Sequence, residues 1–199
     1  MCPGGMVVAA ASEAGRLVTN GMSNYRRNSG VANSALLVQV SPADWGGSVL
    51  GGIAFQRAME ERAFRAGGGD YRAPVQSVGD FLTGKTGARD FAVTPTYAPG
   101  VRTADLRMVL PEMCTEPLAR ALRFWEERVP GFGAADVPMT GVESRSSAPC
   151  RIVRDGATME SVSAAGMYPI GEGAGYAGGI MSAAFDGLKA ALAFLDKIQ

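Results

Sequence analysis

Residues 166–195 read GMYPIGEGAGYAGGIMSAAFDGLKAALAFL, with a GxGxxG at Gly173, Gly175 and Gly178. Clustered glycines let backbone N–H groups approach an anion closely, and a helix starting just after them adds unbonded N–H groups and a positive dipole end. Glu172 stands inside the same turn. A carboxylate there repels a phosphate but accepts hydrogen bonds from sugar-alcohol hydroxyls, so the two halves of the motif fit a ligand that has both kinds of group. A glycine turn that merely packs helix on sheet is the plain alternative. A second cluster, ESRSSAPCRI at Glu143 to Ile152, offers Arg145 and Arg151 between apparent strands. These either bind a carboxylate as fixed guanidinium groups or decorate the surface of a hairpin.

What is missing narrows the chemistry. The chain has no histidine, which removes Ser-His-Asp and Cys-His nucleophile pairs, histidine-ligated metals and a histidine general base. Its three cysteines, Cys2, Cys114 and Cys150, are odd in number, far apart and never in a CxxC, so they read as plain thiols and not as a disulfide framework or a dithiol redox site. MCPGG could hold Cys2 near a ligand through its Pro-Gly turn, but no basic neighbour raises its thiolate fraction. Lys plus Arg and Asp plus Glu both number 19; zero net charge without a basic stripe argues against nucleic acid. No apolar run approaches the roughly 18 residues of a membrane span, and Met1 to Ala11 lacks the basic start of a secretory signal. The expected address is cytoplasmic.

A dinucleotide fingerprint needs more than GxGxxG: a second strand roughly 20 residues on should end in the acid that holds the ribose. After the helix only Gln199 follows, and Asp196 lies in the helix end. That reading fails on context. It leaves a strand, a glycine turn with one acid, and a helix start suited to a phosphate or a flavin carbonyl.

The elements that position these groups follow from periodicity. MVVAAA at 6–11 and ALLVQV at 35–40 read as buried strands, with a polar loop, NGMSNYRRNSG, between them. A helix is expected from about Ile53 to Ala66, with Ile53, Phe55, Met59, Ala63 and Phe64 inward, and Glu60, Glu61, Arg62 and Arg65 on a solvated face. Residues 67–103 read as loops with a short helical piece from Pro74 to Leu82. PEMCTEPLARALRFWEERV is helical, with Pro117 at a boundary or in a first turn and with Cys114 and Trp125 as packing residues. Short strands follow in PMTGVESRS, CRIVRD and GMYPIG, with a turn at Arg154 to Gly156. The last helix, from Ile180, has Ile180, Ala183, Ala184, Leu188, Ala191, Leu192 and Leu195 as its apolar stripe. Thr19 to Asn24, with Asn33 and Ser34, are polar loop residues able to line a substrate pocket.

GMYPIGEGAGYAGGIMSAAFDG resembles the second FAD-contact segment near the C-terminus of two-dinucleotide-fold flavoproteins. Together with MCPGGMVVAAASEAGRLVTNGMSNYRRNSGVANSALLVQV, GIAFQRAMEERAF, VGDFL and TGVESRSSAPCRI, in that order, it makes the chain similar to the C-terminal part of bacterial FAD-dependent dehydrogenases over essentially its whole length. The resemblance implies an α/β fold with an α+β insert: the C-terminal part of an FAD-binding flavoprotein carrying an inserted substrate or cap domain. Residues 1–11 would be a return strand of the FAD domain, 12–134 the insert, and 135–199 the C-terminal half of the FAD domain. It implies FAD as cofactor, with Gly171, Glu172 and Gly173 at its ribityl and phosphate portion, and Gly178, Gly179 and Ile180 presenting backbone N–H groups to the ring. Arg145 and Arg151 would then stabilise reduced, anionic flavin. The implied activity is hydride transfer through flavin N5 to or from a small-molecule substrate. Members of that family begin with a strand-GxGxxG-helix unit for the ADP half of FAD, and the first residues here match an internal segment of them. The chain is therefore expected to be a C-terminal piece or one part of a split enzyme, working with a separate N-terminal half. The alternative is a non-catalytic fragment or assembly subunit.

Overall fold

The computed structural model describes residues 2–198, apart from the side chain of Cys2. The expectation for Cys2 thus lies outside the described residues. The fold is mixed α/β with small sheets, and the chain separates into two compact units. One comprises Met1–Ser41 and Arg57–Ser144, the other Pro42–Gln56 and Arg145–Gln199. No described helix is long and apolar enough to cross a membrane.

The first unit opens with strands β1 (Cys2–Pro3), β2 (Gly5–Ala9), β3 (Thr19–Ser23) and β4 (Ala32–Asn33). β2 pairs antiparallel with β3 from Gly5 opposite Ser23 to Ala9 opposite Thr19, and β1 with β4. Thr19 to Ser23 and Asn33 are therefore strand residues and not loop. The 35–40 run is not a strand. It has apolar residues enough, yet no described strand offers it a ladder, and Leu37 is half exposed.

Helix α1 (Gly51–Gly67) enters this unit at Arg57 and buries Met59 and Ala63. Its charged side is not uniformly wet. Glu60 is fully buried and accepts a hydrogen bond from Ser144 Oγ at 2.7 Å. Glu61 pairs with Arg16, and Arg62 Nε donates to the Val109 carbonyl. Strand β5 (Ala73–Ser77) is buried throughout and centres a sheet, with β6 (Val101–Thr103) parallel on one side and β7 (Pro138–Thr140) antiparallel on the other. The expected helical piece at Pro74 to Leu82 is thus a strand followed by helix α2 (Val78–Thr83). Ser77 makes the switch: its backbone is extended, and its hydroxyl accepts from Asp80 N. Gly84, at φ 69°, ends the helix in the left-handed conformation.

Two helices complete the unit, α3 (Leu106–Val109) and α4 (Glu112–Arg128). In α4 Cys114, Leu118, Ala119 and Leu122 are buried, while Trp125 is partly exposed and stacks edge-on with Phe124. Pro117 lies inside α4 and not at its boundary; the helix runs on through it. Beneath β5 sit Phe81, Val78 and Val109, all buried. Gln76 is buried among them without orphaned atoms: Nε2 donates to Lys85 O at 2.6 Å, and Oε1 accepts from Leu106 N at 2.9 Å.

In the second unit a 3-10 turn at Pro42–Trp45 precedes the start of α1, and the Trp45 and Phe55 rings lie 5.8 Å apart. Gln56 Nε2 donates to Ser147 O at 3.4 Å, tying this segment to the later stretch. Neither CRIVRD nor GMYPIG forms a strand; the sole pairing there is an antiparallel bridge of Arg154 with Ser161 around the expected turn. The backbone of GMYPIG is committed elsewhere: Met167 O accepts from Ser161 N, and Gly171 N donates to a side chain on the last helix. That helix is α5 (Ile180–Ile198). Its buried residues are Asp186 and Ala190, whereas Ile180, Leu188, Leu192 and Leu195 of the expected stripe are largely exposed. Small and acidic residues face inward and the large apolar ones outward, the reverse of the ordinary amphipathic arrangement.

Candidate functional site

The glycine motif folds as a tight turn. Gly175 N donates to Glu172 O at 2.9 Å and Tyr176 N to Gly171 O at 3.0 Å. Gly171 and Gly175 have φ of 74° and 83°, values that exclude most side chains. Gly175 is required twice over, since a Cβ there would stand 2.6 Å from the Cys150 carbonyl oxygen. These two glycines are accounted for by the fold.

Gly173, Gly178 and Gly179 are different. None lies in the left-handed region; a Cβ on Gly173 or Gly178 would meet nothing within 4 Å, and one on Gly179 would only reach Ser182 Oγ at 4.0 Å. Nothing among the described residues requires glycine at these positions. They border open space beside the first turn of α5, where Ile180 is 90% exposed and the first N–H groups have no acceptor within the helix.

Residues 150–154 run alongside the turn and brace it. Ile152 N donates to Ala174 O at 3.2 Å, and Tyr176 Oη donates to Ile152 O at 3.0 Å. Arg151, exposed, donates Nε to Gly175 O at 2.8 Å and holds its guanidinium 4.9 Å from the Tyr176 ring centre. It thus fixes a positive charge at the turn. Arg145 is half-buried in the same unit. Glu172 is exposed, and no hydrogen bond to its carboxylate is found among the described residues.

Two residues that sequence reasoning passed over organise this region. Arg154 forms a two-pronged pair with Asp186 of α5, Nη1 to Oδ2 at 2.9 Å and Nη2 to Oδ1 at 2.6 Å. Arg154 Nη1 also donates to Pro169 O at 2.7 Å, and its guanidinium lies 3.5 Å from the Tyr176 ring centre. Asp186 Oδ2 accepts from Gly171 N at 2.9 Å. Hydrogen bonding from Arg154 holds the Asp186 carboxyl down to about 2, against the opposing effect of burial and with help from the Gly171 N–H. The signal in the sequence was an acid in the middle of an apolar helix, AAFDGL.

The family described as FAD-dependent protein, C-terminal domain-like matches residues 1–146. An uncharacterized protein of Clostridium beijerinckii is 48% identical over 200 residues, a match that takes in 100% of this chain and 37% of that protein. The chain therefore spans little more than a third of the length of this relative.

Proposed function

This chain belongs to the family of FAD-dependent protein C-terminal domains, and on that premise we propose that it is the C-terminal portion of an FAD-dependent oxidoreductase. The observation that carries the reading is the open edge made by Gly173, Gly178 and Gly179, where the fold has no use for glycine but a closely approaching ligand would. In this reading Glu172 accepts hydrogen bonds from the ribityl hydroxyls, with Gly171 and Gly173 leaving room for the ribityl and phosphate portion. Gly178, Gly179 and Ile180 present backbone N–H groups to the electron-rich edge of the ring. Arg151, already held by Gly175 O and Tyr176, sets positive charge beside it, and Arg145 is the second candidate for that task.

When bound, FAD supplies hydride exchange at N5 with a small-molecule substrate or a nicotinamide. The chain's own residues bind, orient and set the local charge. Residues 1–11 and 135–199 would belong to the FAD domain and 12–134 to an inserted substrate or cap domain.

The outward apolar face of α5, with Met181, Phe185, Leu188, Leu192 and Leu195 all substantially exposed, favours a working unit that includes more protein. We propose that the remainder of a longer flavoprotein, in the same or a separate chain, covers it. That surface also supports the second reading, an assembly subunit without catalysis of its own.

A titration of the purified chain with FAD tests the proposal. Bound flavin shows a shifted, structured visible absorbance, and binding raises the melting temperature. Saturable binding by the chain, or by the chain with the upstream part supplied in trans, is expected. Absence of binding in both settings overturns the cofactor reading.

A further inference from the structure

We infer that Arg154 and Asp186 are positioning residues, locking the glycine turn and the start of α5 into one rigid cradle for the flavin. The inference rests on the cofactor reading above and adds to it the groups that fix the site's shape without touching the ligand.

One carboxylate does the joining. Asp186 Oδ2 takes the Gly171 N–H at the first residue of the turn, while both oxygens hold Arg154. Arg154 reaches on to Pro169 O, just before the turn, and lies over Tyr176, just after it. The turn is thus gripped at both ends. Asp186 is six residues along α5 from Ile180, a rise of about 9 Å. The helix start and the turn, the two elements proposed to meet the cofactor, are therefore referenced to a single point.

The pair is an expensive way to obtain stability alone. Its side chains are only 8% and 10% exposed, and burying two charges costs enough that well-packed apolar residues often do as well or better. What apolar packing does not supply is direction. A two-pronged guanidinium–carboxylate contact with a third bond to a backbone N–H fixes distance and orientation together. A site whose donors must meet a ligand within a few tenths of an ångström needs that, and hydrophobic contact does not give it.

The test separates shape from stability. In the full chain, with the upstream part present if binding requires it, FAD affinity, melting temperature and the visible circular dichroism of bound flavin are measured for wild type, D186N, R154K and the double variant R154M/D186L. D186N is expected to weaken FAD binding about tenfold or more, because the neutral amide turns a donor toward Arg154. R154K keeps the charge but not the fork, and an intermediate loss is expected. The double variant is the decisive one: its melting temperature should recover to near wild type, with FAD affinity still about tenfold down and the flavin dichroism altered. Recovery of affinity and dichroism together with stability overturns the positioning role and leaves the cofactor reading intact. Failure of the wild type itself to bind overturns the cofactor reading, and the positioning role falls with it.

Discussion

The glycines of the turn divide into those the fold needs and those it does not, and substitution should tell them apart. Gly175→Ala forces a left-handed backbone and a Cβ contact with the Cys150 carbonyl, and a loss of about 1–3 kcal/mol is expected in denaturant unfolding. Gly178→Ala meets open space. It should leave stability unchanged or raise it by about 0.4–1 kcal/mol through the unfolded chain, while FAD titration shows weakened binding; wild-type affinity in this variant would remove the reason for glycine there. Asp186 gives a pH signature. Its carboxyl titrates at about 2 in the folded chain and near 3.9 unfolded, so its contribution is complete above about pH 4 and is lost as the pH falls toward 2, about 2–3 kcal/mol in all. Acid titration of stability should show that component in wild type and not in D186N. The turn was legible because glycine type and spacing are local properties. Arg154 and Asp186 were not: 32 residues separate them, and nothing in RDG or AAFDGL alone announces that the two meet.

At the scale of elements, the same distinction decides which readings of the sequence held. Helices α1, α4 and α5 fell where apolar spacing put them, because a helix satisfies its backbone within itself. Strands need a partner. ALLVQV has strand composition and no described ladder, while PVQS, read as the start of a helical piece, sits between β6 and β7 and is buried on both sides. The buried carboxyl of Glu60 was equally hidden, since helical spacing marks a face but not what a distant Ser144 brings to it. Gln76 is the element-scale weak point. Its amide bonds Lys85 O and Leu106 N from inside β5, so Gln76→Leu leaves two backbone groups without partners. A loss of about 2–4 kcal/mol in urea unfolding is expected.

At the scale of the molecule, α5 links the proposed site to the proposed missing surroundings. Its outward stripe should make the chain self-associate when alone, and the paired change L188E/L192E should shift sedimentation toward monomer without lowering the melting temperature. The same change should abolish capture of the upstream part. Unaltered capture would place the contact elsewhere. The helix is also held unevenly along its length. Asp186 and Ala190 are buried, Phe194 meets Tyr168 edge-on at 5.6 Å, and Lys197 pairs with Glu160, whereas Ile180 and Met181 stand in the open. Backbone exchange should follow the same division: the first amides of the helix, which have no acceptor within it, label in the earliest times and those near 187–193 late. A ligand that accepts hydrogen bonds from those first amides slows their exchange without reshaping the turn that Arg154 and Asp186 hold. Binding should therefore flatten the gradient from the front, and a cradle already fixed before the ligand arrives should show little ordering entropy in calorimetry.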